Sequence, residues 1–90
     1  MSIYISKVEN GERLEIYHLA KDEWELPSLF KEFEVWLNTH SSELAQGNWI
    51  ADIGFSPRQE ACGGGPIITK EIMSICLSKG IEIFLSEYGE

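Results

Sequence analysis

The sequence predicts one α+β domain in which four strands and two helices follow the order β-β-α-β-α-β. Two patterns support this prediction. Apolar residues alternate along four segments, as in half-buried strands, and recur at three- and four-residue steps along two others, as in amphipathic helices. Because 90 residues are too few for two separate cores, we assign residues 1–90 to a single domain. Since the strands alternate rather than being apolar throughout, we expect a four-stranded mixed sheet with both helices mainly on one face.

The first two strands are predicted to form a β-hairpin. Asn10-Gly11 lies between two alternating runs and is the preferred dipeptide of a two-residue type I′ turn. The pairs expected to lie opposite each other are Ile3 with His18, Tyr4 with Tyr17, Ile5 with Ile16, Lys7 with Leu14, and Glu9 with Glu12. In this register the side expected to line the core carries Ile3, Ile5, Leu14 and Ile16.

An amphipathic helix is predicted after the hairpin. Its apolar stripe consists of Leu26, Leu29, Phe30, Phe33, Trp36, Leu37 and His40. Pro27 suits the first turn of this helix, because the N–H that proline lacks would have no intrahelical partner there. A short further turn is expected between residues 41 and 46, before Gly47 ends it.

The second half of the chain is predicted as strand, loop, helix and strand. Residues 48–55 alternate, and residues 56–66 form a loop rich in glycine. Thr69 is placed as the N-cap of a helix that runs to about Lys79, where Gly80 suits a left-handed C-terminal residue. Residues 81–86 alternate again. A strand-helix-strand crossover of this kind places its two strands parallel in one sheet.

The face of the sheet away from the helices is predicted to be unusually apolar for a solvated surface. Its expected members are Tyr4, Tyr17, Ile50, Asp52 and Phe84. An apolar patch of this kind is typical of a surface that binds a partner, so this face is a first candidate for an interaction.

The charge of the chain favours one class of function. Fifteen acidic side chains against seven basic ones give a net charge of −8, which disfavours nucleic acid and anionic membranes and favours a basic protein partner. The residues expected to contact that partner lie in one acid-rich stretch: Asp22, Glu23, Trp24, Glu25, Glu32 and Glu34. Trp24 is the expected apolar anchor, since a large aromatic side chain among charges is typical of interface centres.

An alternative function is a small ligand-binding or regulatory domain that uses the glycine-rich loop, residues 62–66. Glycine backbones can surround an anion at a helix N-terminus, although the Walker and dinucleotide-binding spacings are absent. The residues that this alternative would use are Arg58, Cys62, Gly63, Gly64 and Lys70. It predicts a concave pocket at the end of the third strand.

The remaining motifs indicate no catalysis and no cofactor. Two histidines and two cysteines are dispersed without metal-ligand spacing, and no general base accompanies Cys62. We therefore expect neither an enzyme nor a metal site. The N-terminus has no apolar signal-peptide segment and the chain has no long apolar run, so we expect a cytoplasmic protein with two reduced thiols.

The chain resembles the small acidic immunity proteins of bacteria, which neutralise toxic nucleases. These include the immunity partners of contact-dependent growth-inhibition toxins and the barnase inhibitor barstar. The similarity to barstar lies in size, in charge and in the ending Lys79-Gly80-Ile81-Glu82-Ile83-Phe84-Leu85-Ser86, which follows a helix. The resemblance implies an inhibitor that occupies the active-site cleft of a basic toxin, where its acids take the place of phosphates.

Overall fold

The computed structural model describes residues 2–89 and has the predicted order of elements. The helices and strands are β1 (Ser2–Glu9), β2 (Glu12–Leu19), α1 (Leu26–His40), a 3-10 turn (Ser41–Glu43), β3 (Trp49–Phe55), α2 (Lys70–Lys79) and β4 (Ile81–Glu87). The α+β class, the β-β-α-β-α-β order and the boundaries of both helices are therefore confirmed.

The four strands form one mixed sheet in the order β2-β1-β3-β4. Strand β1 is central and pairs antiparallel with both β2 and β3. Strands β3 and β4 are parallel, as the crossover through α2 predicts. The edges of the sheet are consequently β2 on one side and β4 on the other.

The hairpin register is correct near the turn and wrong beyond it. Asn10 and Gly11 both have positive φ, as a type I′ turn requires, and Lys7 lies opposite Leu14. Between Ile5 and Ser6 the register shifts by one residue. The pairs beyond this β-bulge are Ile3 with Leu19, Tyr4 with His18 and Ile5 with Tyr17. A bulge inserts one unpaired residue into a strand. Every side chain beyond it then lies on the opposite face of the sheet from the one that the unshifted register predicts.

The bulge changes which residues of β2 face the core. Ile16 was expected there, but the shift leaves it 48% exposed; Leu14, which keeps its predicted position opposite Lys7, is 44% exposed as well, so neither lines the core. Tyr17 and Leu19 pack against the core instead, and the Tyr17 ring lies edge-on to Trp36 with centroids 5.2 Å apart. Tyr17 therefore does not belong to the open face of the sheet; His18 takes its place there.

Both helices pack on the same face of the sheet and share one hydrophobic core with it. The sheet contributes Ile3, Ile5, Trp49, Ala51, Ile53 and Ile81, and the helices contribute Leu29, Phe30, Phe33, Trp36, Leu37, Ile72 and Cys76. Helix α1 lies against β1 and β3, and α2 lies against β4. The apolar stripe predicted for α1 is therefore confirmed as its buried face.

Candidate functional site

The connection from β2 to α1 holds Trp24 in a defined backbone position. The Glu23 carboxylate oxygen Oε2 accepts hydrogen bonds from the backbone N–H groups of Trp24 and Glu25, at 3.1 and 3.3 Å. On the other side, the backbone N–H of Ser56 donates to the carbonyl of Trp24 at 2.9 Å. The acid-rich segment is thus tied to the end of β3.

Trp24 forms one wall of a surface cavity of about 450 Å³. The side chain is 43% exposed, and Tyr88, which is 44% exposed, also lines the cavity. The backbone N–H of Tyr88 donates to the carbonyl of Phe55 at 2.9 Å, which fixes the segment after β4 beside the end of β3. The other lining residues are Ser56, Pro57, Gln59 and Gly89.

This cavity lies beyond the carboxyl ends of the two parallel strands, where open sheets with crossover helices commonly bind ligands. Of the residues that line it, Trp24 was predicted from the sequence as a binding residue, whereas Ser56, Pro57, Gln59 and Tyr88 were not. A usable signal was present in the sequence: the parallel pairing of β3 and β4 was predicted, so the residues directly after each strand could have been expected to meet.

The acids around Trp24 differ in their availability to a partner. Asp22 and Glu25 are exposed, and within residues 2–89 no ion pair or side-chain hydrogen bond engages either carboxylate. Glu23 is half-buried and its carboxylate orders the backbone of the next two residues. Asp22 and Glu25 are therefore the charges next to Trp24 that face solvent.

The two acids predicted on α1 lie on different flanks of the helix. Glu32 is exposed and lines a cavity of about 400 Å³ that also includes Ala20 and His40. Glu34 is half-buried on the side of α2, where its Oε2 accepts a hydrogen bond of 2.7 Å from the Thr69 hydroxyl. The six predicted contact residues consequently do not form one patch. Glu32 lines a cavity other than that of Trp24, and Glu34 joins the two helices.

The glycine-rich loop has an unusual backbone. Gly63, Gly64 and Gly65 all have positive φ, at 92°, 74° and 124°. The Arg58 guanidinium lies over the last two, since its Nη2 would be 4.0 and 3.7 Å from a Cβ added at Gly64 and Gly65. Glycine adopts positive φ without steric cost, which explains why three consecutive glycines occupy these positions.

The side chains predicted for an anion site at this loop do not surround the cavity at the end of β3. That cavity is lined by the Trp24 and Tyr88 group instead. Lys70 lines a separate cavity of about 320 Å³ with Asn38 and Ser74. Cys62 is exposed in the loop. The predicted pocket at the end of the third strand therefore exists, but with different walls.

Both cysteines are free thiols. Cys76 is buried in the core beneath α2, and this burial raises the pKa of its thiol from 9.0 to about 11. A thiol that is harder to ionise is a poor nucleophile at neutral pH, so Cys76 is a packing residue.

The open face of the sheet carries a group of interacting polar and aromatic side chains. Tyr4 stacks on His18 with ring centroids 4.1 Å apart. Arg13 of β2 reaches across β1, where its Nη2 lies 3.5 Å from Asp52 Oδ2 and its guanidinium lies 5.4 Å from the centroid of Phe84. The hydroxyl of Ser86 donates to Asp52 Oδ1 at 2.6 Å. The apolar surface predicted on this face is thus partly covered by Arg13.

Within residues 2–89, no three His, Cys, Asp or Glu side chains are grouped so that they could hold a metal ion. Neither helix has the length and apolar composition needed to cross a membrane.

Comparison with known proteins finds no matching family model, no similar curated protein and no similar solved structure. The function proposed below therefore depends on the charge, geometry and exposure of this chain's own residues.

Proposed function

We propose that this protein is an acidic interaction module that binds a basic protein through the surface around Trp24. The observation that supports the proposal is the position of Trp24: its backbone is fixed by Glu23 and Ser56, while its ring stays exposed at a cavity near Asp22 and Glu25, whose carboxylates form no ion pair within residues 2–89. Exposed tryptophans that are held in place lose little conformational entropy on binding, which is a property of binding hot spots.

The chemistry of this surface favours a cationic group in the cavity. Trp24 and Tyr88 offer aromatic rings, and Asp22 and Glu25 add negative charge beside them. An arginine or lysine of the partner would gain both cation–π and ionic contacts, each of which strengthens when the partner excludes water. We propose that Glu32 extends the contact along α1, whereas Glu23 and Glu34 contribute mainly by ordering the segments that they bond.

We further propose that the partner is a toxin of the nuclease type and that the protein is its immunity factor. A nuclease must hold phosphates in a basic cleft, and a chain with a net charge of −8 is suited to occupy such a cleft. Long-range attraction also accelerates association, which an inhibitor needs if it is to act before its toxin does. The similarity in size and charge to bacterial immunity proteins supports the same proposal.

The first test is affinity capture from the host organism, with the wild-type chain as bait and the triple variant Asp22→Lys, Glu25→Lys, Glu32→Lys as negative bait. We expect the wild type alone to retain a basic protein with nuclease activity, and to inhibit that activity. Calorimetry at several salt concentrations should then show affinity that falls with salt. Trp24→Ala should weaken binding about 30- to 150-fold, as for a hot spot of roughly 2–3 kcal/mol.

A matched control separates a local site from general acidity. The variant Glu12→Lys, Glu15→Lys, Glu71→Lys changes the net charge by the same amount at exposed positions outside the Trp24 surface. It should slow association yet keep most of the affinity. Equal losses in the two triple variants would refute a site at Trp24. Capture of no basic protein, or an affinity insensitive to salt and to Trp24→Ala, would refute the proposed function.

A further inference from the structure

The two edge strands of the sheet differ in how well they are protected against pairing with another strand. Edge β2 contains the β-bulge and the charged residues Glu12, Arg13 and Glu15. Bulges and charges are the usual means by which proteins block an edge. Edge β4 carries the charged residues Glu82 and Glu87, but it has no bulge, lysine or proline, and within residues 2–89 no strand pairs with its outer side. In this part of the chain β4 is therefore the less protected of the two edges.

An exposed apolar surface lies along this open edge. On β4, Leu85 is 50% exposed on the helix side of the sheet, and Phe84 is 40% exposed on the open face, beside Arg13. In α2, Met73 and Leu77 are 54% and 84% exposed, although they adjoin the buried Ile72 and Cys76 in sequence. We name Met73, Leu77, Phe84 and Leu85 the β4-edge patch.

The helix residues of the β4-edge patch lie on the side of α2 away from α1. The side towards α1 is identified by the cavity that Asn38 shares with Glu71 and Ser74. Leu77, in contrast, lines a cavity with Ile81 at the start of β4. Because α2 packs on β4, the edge strand, its exposed flank continues the surface of that edge.

We propose that the β4-edge patch is a dimer interface, in which β4 pairs antiparallel with β4 of a second copy of this chain. The sequence of β4 is self-complementary in this arrangement. With Phe84 on the two-fold axis, Ile83 lies opposite Leu85 of the second copy, Glu82 opposite its Ser86, and Ile81 opposite its Glu87. All seven residues are paired, Ile83 and Leu85 meet on the helix side, and no acid lies directly opposite an acid.

This symmetry explains why the occupant is a second copy rather than an unrelated strand. A two-fold contact uses the same patch twice and closes on itself, and the protected β2 edges then end an eight-stranded sheet on both sides. The β4-edge patch supplies a few hundred Å² of apolar surface per copy together with one strand's backbone hydrogen bonds. That is the range of a weak dimer, with an affinity near the micromolar level.

Salt distinguishes this self-association from binding of a basic partner. Two copies that each carry a charge of −8 repel one another, and salt screens the repulsion. Dimerisation should therefore strengthen at high salt, whereas the proposed contact at Trp24 should weaken. The dimer goes beyond the proposed function and does not depend on it, so either can fail without the other.

The test is sedimentation velocity over micromolar to millimolar concentrations at low and high salt. We expect the mass to rise from 10.2 kDa to twice that value, at lower concentration when salt is high. Leu77→Glu should weaken dimerisation at least about tenfold. Val35→Glu is the matched control, because Val35 is 66% exposed on α1, outside the patch, and this variant should dimerise normally.

The register is tested by opposite charges at Phe84. Phe84→Lys and Phe84→Glu should each be monomeric, because two like charges would meet at the axis, and a mixture of the two should form heterodimers. Circular dichroism verifies that each variant is folded. If the wild type stayed monomeric at every protein and salt concentration, the proposal would be overturned. A different protein would then be the candidate to pair with the outer edge of β4. Dimers that Leu77→Glu leaves unchanged, or that Val35→Glu disrupts equally, would also overturn it.

Discussion

At the scale of single residues, two of the acids that the sequence offers to a partner are used within the fold. Glu23 accepts from the backbone of Trp24 and Glu25, and Glu34 accepts from the hydroxyl of Thr69. A carboxylate that already holds hydrogen bonds must give them up before it can bind a partner. The number of acids in the sequence therefore overestimates the negative charge available to a partner. The exposed Asp22, Glu25 and Glu32 are the acids that we propose for the binding surface.

Gly80, at the C-terminus of α2, is a residue at which even a small substitution should lower the free energy of unfolding strongly. It adopts φ 81°, and a Cβ there would lie 1.9 Å from the carbonyl oxygen of Gly47. We predict that Gly80→Ala lowers the free energy of unfolding by about 3 kcal/mol or more, because left-handed strain and a backbone clash add together. Urea denaturation followed by tryptophan fluorescence measures this.

The control for this prediction is Gly11→Ala in the hairpin turn. Gly11 has φ 78°, but apart from its two chain neighbours no residue from 2 to 89 has an atom within 4 Å of the position of an added Cβ. This variant should lose only about 1 kcal/mol, from the strained backbone alone. If both variants lost the same free energy, close packing against Gly47 would not be the cause.

At the scale of elements, the β-bulge in the hairpin decides which side chains of β2 face the helices. The segment Leu14–Leu19 places apolar residues at 14, 16, 17 and 19, so its pattern fits either face of the sheet. The unshifted register would bury Ile16 and expose Tyr17. The bulge instead directs Tyr17 towards Trp36 and Leu19 towards the core, so that both side chains are partly buried against it.

The contact between the two helices depends on the N-cap of α2. The Thr69 hydroxyl accepts from the backbone N–H of Ile72 at 3.2 Å and donates to Glu34 of α1 at 2.7 Å. We predict that Thr69→Ala lowers the free energy of unfolding by about 1–2 kcal/mol, since both bonds are lost. Thr69→Ser keeps the hydroxyl and should retain most of the stability in thermal or urea unfolding. A serine variant as unstable as the alanine variant would show that the methyl group matters more.

At the scale of the whole molecule, the two interactions that we propose use different surfaces. The Trp24 surface lies where the carboxyl ends of β3 and β4 meet the connection to α1. The β4-edge patch lies along the outer strand and α2. Because one contact is attractive and the other repulsive in its electrostatics, salt should shift the protein from partner binding towards self-association.

The stability of the whole domain should fall in alkaline solution through Cys76. Its thiol is buried in the single core, where its pKa rises from 9.0 to about 11. Between these values the Cys76 thiol ionises in the unfolded chain but not in the folded one, so rising pH favours unfolding. Below pH 9 the thiol is neutral in both states, and its full contribution to the free energy of unfolding is present. We predict that unfolding free energy falls more steeply from pH 9 to 11 in the wild type than in Cys76→Ala.

The variant Cys62→Ser controls for the second thiol, because Cys62 is exposed in the glycine-rich loop. Urea titrations at several pH values should give this variant the slope of the wild type. Identical slopes in all three proteins would show that the Cys76 thiol does not contribute.

The sequence by itself determined the order of elements, the boundaries of the helices and the parallel pairing of β3 and β4. These features follow from local signals: the three- and four-residue spacing in α1, the Thr69 cap, and Gly80 as a left-handed helix end. Trp24 was also identified from the sequence, because its acidic neighbours are adjacent in the chain.

Only the tertiary structure decided the bulge, the walls of the cavity and the exposure of the β4-edge patch. Tyr88 and Trp24 line the same cavity although more than sixty residues separate them in sequence. Glu34 accepts a hydrogen bond from Thr69, 35 residues further along the chain. Met73 and Leu77 share apolar character with the buried Ile72, so their exposure depends on α2 lying over an edge strand. The physical reason is common to all three. Local patterns specify the period of an element, whereas its packing partners depend on contacts distant in sequence.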